Sequence, residues 1–203
     1  MNWSERTLKT YNTSADKLAA YFEGIGPRIA DIERGLELGG ASKDSRVVEI
    51  GCGDGRDAVE IAKRAGWFEG VDPSCALLTI ARNRLTNASF VEADAASYSY
   101  PQNLDVIFAF ASLLHVSKQE LPMVFTKGLA ALKESGIYYI SLKERPEYVE
   151  EPKIDQYGER MFYYYSPAII QKLAGDGFQK VYESHQTIGH TNWFTLALQR
   201  CSS

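Results

Sequence analysis

The sequence predicts an α/β fold in which a mostly parallel sheet lies between two helical layers and one strand near an edge is reversed. Three observations carry this reading. From Arg46 to Leu142 short apolar runs alternate with helical segments; "VVEIGCGDGRDA" (47–58) sets three glycines at the first strand-to-helix joint; and two strand-like runs near the end are joined only by "GHT" (189–191). Alternation implies βαβ units and a sheet covered on both faces. So short a final loop permits only an antiparallel pair, because a parallel return needs a crossover.

Each element follows from its local pattern. The first forty residues read as helices. In "SADKLAAYF" Ser14 stands at the N-cap, with Ala15, Leu18 and Phe22 at helical spacing. "PRIADIERGLEL" starts at Pro27, aligns Ile29, Ile32 and Leu36 on one face, and stops at Gly39-Gly40. Strands are expected at 46–50, 67–71, 89–93, 104–110 and 136–142, with helices near 55–65, 74–85 and 119–133 between them. Pro73 suits the first turn of the second of these helices. A helix over about 167–174 precedes the last two strands, "FQKVYESHQTI" and "NWFTLALQ". The stretch "IDQYGERMFYYYS" (154–166) reads as an extended connection that packs aromatic bodies on the sheet edge.

Composition narrows the function classes. A chain of 203 residues, 45% hydrophobic, has enough apolar material for one sizeable core. The net charge of −4 and the lack of a dense Lys/Arg cluster speak against a nucleic-acid partner. Cys52, Cys75 and Cys201 are scattered without metal-ligand spacing, so neither a disulfide framework nor a metal site is expected, and a reducing cytoplasm fits. The polar start "MNWSERTLKTYNTS" is unlike a signal peptide, and no apolar run approaches bilayer length, so no membrane partner is expected.

In an open parallel sheet, ligands sit beyond the carboxyl ends of the strands. Gly51, Gly53 and Gly55 read G-x-G-x-G, and Arg56 stands where a dinucleotide fingerprint has its third glycine. Asp72 closes the second strand in "GVDPS", where a carboxylate can accept both hydroxyls of a ribose. Asp94 follows the third strand in "VEADAAS", at the reach of an adenine. A glycine turn followed by two acids on one rim describes a pocket for an adenosine without a pyrophosphate. Plainer readings stand beside this one: Asp72 as a helix cap, Asp94 as a loop acid, and Arg56 and Asp57 as cap residues or contacts for a ligand carboxylate.

With these segments the chain resembles the class I S-adenosylmethionine-dependent methyltransferases. "VEIGCGDG" is similar to their first motif, "GVDPS" to the acidic end of the second, "EADA" to the adenine-contacting third, and "LDVIFAFASLLHV" to the fourth-strand segment. The resemblance runs from about Tyr11 to Arg200 and includes the reversed last strand. It implies a Rossmann-like three-layer sandwich with a seven-stranded sheet, a helical cap or lid over residues 1–40, and a cofactor-binding domain over 41–203. It further implies S-adenosylmethionine as cofactor, with S-adenosylhomocysteine as product. Glu49, Gly51, Cys52, Gly53, Asp72, Pro73, Asp94, Ala95 and Phe110 are the cofactor-binding residues it points to. In this reading the backbone of Gly51 to Gly55 packs under the amino-acid end of the cofactor. Glu49 orients the loop or binds the cofactor's ammonium through water, and Cys52 is a small residue that nothing nearby activates.

The acceptor side is less marked. His115, in "SLLHVS", has two readings: a base or acceptor-orienting group, and a structural histidine bonded to the backbone. Tyr11 and Tyr21 from the N-terminal segment, with Tyr157, Arg160 and Phe162 from the aromatic-rich connection, are expected to close over the methyl group. Arg160 would be available there to an acidic group. The expected activity is methyl transfer to a small molecule by a monomer or homodimer. A protein substrate, or a cofactor-binding module without catalysis, is the alternative. The place where DNA amino-methylases carry an Asp/Asn-Pro-Pro-aromatic stretch reads "AFASL" here.

Overall fold

Strands apolar on both faces lie at the centre of the sheet in the computed structural model, which describes residues 1–202. In chain order the helices are α1 (Trp3–Thr13), α2 (Ala15–Ile25), α3 (Ile29–Leu38), α4 (Ala58–Ala62), α5 (Cys75–Arg84), α6 (Leu121–Ala131) and α7 (Pro167–Ala174). The strands are β1 (Arg46–Ile50), β2 (Trp67–Asp72), β3 (Ser89–Glu92), β4 (Leu104–Phe110), β5 (Leu132–Lys143), β6 (Val149–Asp155), β7 (Gly158–Tyr164), β8 (Phe178–Ile188) and β9 (Thr191–Arg200). Seven of them form one sheet in the order β3-β2-β1-β4-β5-β9-β8. Strand β9 alone is reversed, antiparallel to β5 and β8, as the short final loop requires.

Every residue of β4 is buried, since both of its faces are covered. On one face Ile107 and Tyr138 pack with Val124 and Phe125 of α6 and Ile170 of α7. On the other, Phe108 and Tyr139 pack with Ile32 and Leu36 of α3. Each such aliphatic side chain contributes roughly 1.5–3 kcal/mol by leaving water. From β1 the chain runs outward through β2 and β3, then crosses to β4 on the other side of β1. The crevice at the carboxyl ends of β1 and β4 is therefore the topological switch point where ligands bind in such sheets.

Three local readings need correction. The connection at 154–166 is mostly a hairpin: β6 and β7 pair antiparallel, with Lys153 opposite Arg160 and Asp155 opposite Gly158. Glu150, Glu151, Pro152 and Lys153 are poor strand formers and hide β6 from a propensity reading. Ser14 does precede α2, but it does not cap the helix; its hydroxyl donates to the Tyr157 carbonyl at 2.7 Å. Strand β5 begins at Leu132, directly after α6, four residues earlier than the apolar run suggests.

Candidate cofactor and acceptor site

The glycine turn leaves β1 at Ile50 and is held to β2 by bonds from the Gly51 and Cys52 amides to the Val71 carbonyl, 2.7 and 3.0 Å. Its glycines serve different ends. A Cβ on Gly51 would overlap Ser112, and one on Gly55 would stand 3.0 Å from the Cβ of Ala81. The steric demand at these two positions thus comes from the chain itself rather than from a ligand. Gly53 has φ +55°, and a Cβ there would meet nothing within 4 Å. Here the turn faces open space.

Asp72 ties this turn to α5. Its Oδ2 accepts from the Gly53 amide at 2.9 Å and its Oδ1 from the Ser74 amide at 2.8 Å. The cap of α5 is Ser74, which accepts from the Leu77 amide, so Asp72 is not the helix cap. Burial pushes the Asp72 carboxyl up to about 6 against the pull of those two bonds. Pro73 beside it is exposed. Cys52 is buried, and burial raises its thiol well above the usual range, which leaves it unreactive. Asp94 lies exposed beyond β3, where its Oδ1 accepts from the Ala96 and Ser97 amides at 2.9 and 2.7 Å, while Ala95 is buried.

Behind the turn sits a charged cluster that only the fold assembles. Glu49 is 2% exposed, and its Oε2 has no hydrogen-bond partner among the described residues. Burial, with Asp57 adding to it, raises the Glu49 carboxyl well above its ordinary value, and Arg56 and Arg28 oppose this. Asp57 binds Arg28 and Arg56, each at 2.7 Å, so the two residues that open α4 are neither idle nor simple caps. The Arg28 guanidinium lies 5.4 Å from the centre of the Phe110 ring. Ser112 Oγ is buried without a partner among the described residues. Arg28 and Ser112 escape a sequence reading, because neither lies in a recognisable pattern.

The side where the acceptor is expected is built by α1 and β7. Thr7 Oγ1 accepts from the Met161 amide at 3.0 Å, Thr10 Oγ1 donates to the Glu159 carbonyl at 2.8 Å, and Arg6 pairs with Glu159 at 2.8 Å. At the other side of α1, Asn12 Oδ1 accepts from the Ser74 hydroxyl at 2.8 Å and the Ala76 amide at 3.3 Å. Helix α1 thus bridges the hairpin and the start of α5. A visible signal marks its beginning: Asn2 and Glu5 form a capping box, with both reciprocal bonds at 2.9 Å.

Within this frame Tyr11, His115, Tyr157, Arg160 and Phe162 come together. His115 Nδ1 lies 2.6 Å from the Met161 carbonyl, which can only accept, so Nδ1 carries the proton. Nε2 is then the acceptor for the Tyr11 hydroxyl at 2.8 Å. Burial lowers His115 to about 4, and the positive charges of Arg160 and Lys143 act in the same direction. The ring of Phe162 stands 4.9 Å from that of His115. Tyr21 sits at the margin, 55% exposed, with its ring 6.2 Å from Tyr157. Arg160 is not the free cation expected: it is bonded to Asp155 within its own hairpin. Its guanidinium lies 5.4 Å from the rings of both Tyr157 and Phe162.

Sheet order, reversed strand and glycine–acid rim together define the class I S-adenosylmethionine-dependent methyltransferase fold. The chain is similar to that family in sequence as well: a family model described as a methyltransferase domain matches residues 47–136, from β1 into β5. Among curated proteins it is 37% identical over 118 residues to the trans-aconitate 2-methyltransferase of Paracidovorax citrulli, covering 55% of this chain and 42% of that one. The enzyme of the same name from Rhodopseudomonas palustris is 33% identical over 111 residues, covering 53% and 41%. The matched stretch spans less than half the length of these relatives. Among solved structures, a DhpI–SAH complex superposes with a TM-score of 0.73 at 18% identity, covering 99% of this chain and 98% of that one. A methyltransferase from Leishmania major gives 0.74 at 15% identity, covering 97% and 83%. At these identities the structural likeness is one of fold.

Proposed function

We propose that the chain transfers the methyl group of S-adenosylmethionine to a small-molecule acceptor seated between the strand ends and the α1–β7 lid. One observation carries this reading: the open cradle at Gly53, bonded to Asp72, and the Tyr11–His115 pair stand at the same switch point. The polar groups along the rim, two of them (Glu49 Oε2 and Ser112 Oγ) without partners among the described residues, fit the cofactor. Asp72 suits the ribose hydroxyls, Glu49 Oε2 an ammonium, Ser112 Oγ and Arg28 a carboxylate, and Asp94 the adenine amino group. Gly51, Cys52, Pro73, Ala95 and Phe110 line the same rim. When bound, S-adenosylmethionine supplies a methyl carbon already activated by its sulfonium charge.

The chain's own residues then align the acceptor and exclude water. His115 is neutral at neutral pH, with Nδ1–H held on the Met161 carbonyl and Nε2 ready to take a proton. An acceptor hydroxyl or amine can pass its proton to the Tyr11 oxygen as the Tyr11 proton moves to His115 Nε2. An acceptor that arrives as an anion needs no base, and the pair then orients it. Two relatives that carry the name trans-aconitate 2-methyltransferase support a small-molecule acceptor. Three free thiols agree with a cytoplasmic setting in this reading.

The test is to incubate the protein with S-adenosylmethionine and a panel of small carboxylic acids, alcohols, amines and a metabolite extract, and to measure S-adenosylhomocysteine. Acceptor-dependent product, lost in Asp72→Ala, is expected. Tight cofactor binding without turnover on any acceptor overturns the catalytic reading.

A further inference from the structure

We propose that Lys143 anchors an anionic group of the acceptor, a carboxylate or a phosphate, at the carboxyl end of β5. This rests on the acceptor position proposed above. Lys143 is the last residue of β5, on the rim shared with the end of β4, and is only partly exposed. Its Nζ stands 4.2 Å from the centre of the Phe162 ring and 5.8 Å from that of Trp193. Phe162 is the ring that also packs against His115 and faces Arg160, so all three basic side chains gather around one aromatic wall.

The neighbouring carboxylates are already engaged. Glu144 pairs with His185 at 2.9 Å, Glu151 with Arg145 at 2.7 Å, and Asp155 with Arg160 and, at 3.8 Å, with Lys153. None of them is bonded to Lys143. Among the described residues this ammonium makes no ion pair and no hydrogen bond, only its contacts with two aromatic faces. A partly buried cation costs free energy unless an anion meets it. Burial, with Lys153 and Arg160 adding to it, lowers Lys143 to about 8, which leaves it mostly charged at neutral pH. Burial depresses His115, and Arg160 and Lys143 add to it. An anion placed among them relieves both, and restores basicity to the histidine when it is needed. An aromatic wall with one uncommitted ammonium is the lining expected for a small acid, with the apolar body against Phe162 and the acidic end on Nζ.

The test uses the full chain loaded with S-adenosylhomocysteine and titrated in a calorimeter with citrate, with inorganic phosphate, and with glycerol as a neutral control. Saturable binding of at least one anion and none of glycerol is expected. Lys143→Met, which keeps the stem over Phe162, should weaken that binding about tenfold or more, the loss of a charge-assisted bond. Lys143→Arg should restore most of it, and Lys153→Met should leave it within about twofold. Should Lys143→Met fail to fold, Lys143→Gln is read in its place. Citrate alone marks a polycarboxylate acceptor, phosphate alone a phosphorylated one, and either supports the proposal. Anion binding that is equal in wild type and Lys143→Met, or absent from wild type, overturns it. A protein that takes up no S-adenosylhomocysteine overturns the proposed function instead. The anion titration is then made without that ligand and judged by the same outcomes.

Discussion

A methyl group added at Gly51 meets Ser112, whereas one added at Gly53 meets open space. Gly51→Ala therefore combines a left-handed backbone, roughly 1–2 kcal/mol, with overpacking, about 1–3 kcal/mol. Gly53→Ala carries the backbone cost alone. Urea unfolding should find Gly51→Ala the less stable of the two, while calorimetry finds that folded Gly53→Ala has lost at least about tenfold in cofactor affinity. Normal binding by Gly53→Ala would remove Gly53 from the cradle. Asp72 gives a second test at this scale. In its proposed role that carboxyl, raised to about 6 by burial, must shed a proton before it can accept two ribose hydroxyls. Cofactor affinity should be flat above about pH 6 and fall roughly tenfold per unit below it. Asp72→Asn should lose that slope, and weaken binding by roughly 1.5–3 kcal/mol for each charge-assisted bond removed. An unchanged slope in the variant would assign the titration to another group.

Helix α1 and strand β7 act through their mutual bonds, because each presents polar groups that the other satisfies. Thr7 and Thr10 hold the backbone of Met161 and Glu159, and Met161 in turn holds His115. The double variant Thr7→Val/Thr10→Val removes two bonds worth about 0.5–1.5 kcal/mol each. At roughly 2–4 °C per kcal/mol, a fall of a few degrees in Tm is expected. Transfer should slow about tenfold or more, because Tyr11 and His115 no longer share one frame, while cofactor affinity changes far less. Equal losses in both would mean that α1 serves the cofactor alone. The pairing was only half legible beforehand. The tyrosines and Phe162 were recognisable as a wall from their density, whereas the capping box in "NWSE" went unread. The hairpin was hidden by the Glu, Pro and Lys of β6, whose strand conformation comes from pairing with β7 rather than from propensity.

At the scale of the whole molecule, two buried groups titrate in opposed directions. His115 is depressed from 6.5 to about 4, so its contribution to stability is complete above 6.5 and is lost as pH falls toward 4. Asp72 is raised from 3.8 to about 6, so its contribution is complete below 3.8 and is lost as pH rises toward 6. Relative to wild type, His115→Asn should therefore lose stability as pH rises from 4 to 6, and Asp72→Asn should lose it as pH falls over the same span. Denaturant midpoints at pH 4.5 and 6.5 check both signs, and parallel profiles for all three proteins would show that neither group is linked to folding. The sequence by itself determined the sheet, the reversed strand, the glycine turn and the acids at its rim. Those features rest on patterns a few residues long: apolar runs, glycine spacing and loop length. Tertiary structure alone decided which glycine faces open space, that Arg160 is bound by Asp155, that Arg28 reaches the turn, and that Lys143 has no carboxylate partner among the described residues. Each of these depends on groups far apart in the chain that share a site only after the sheet has closed, and local periodicity carries no record of such meetings.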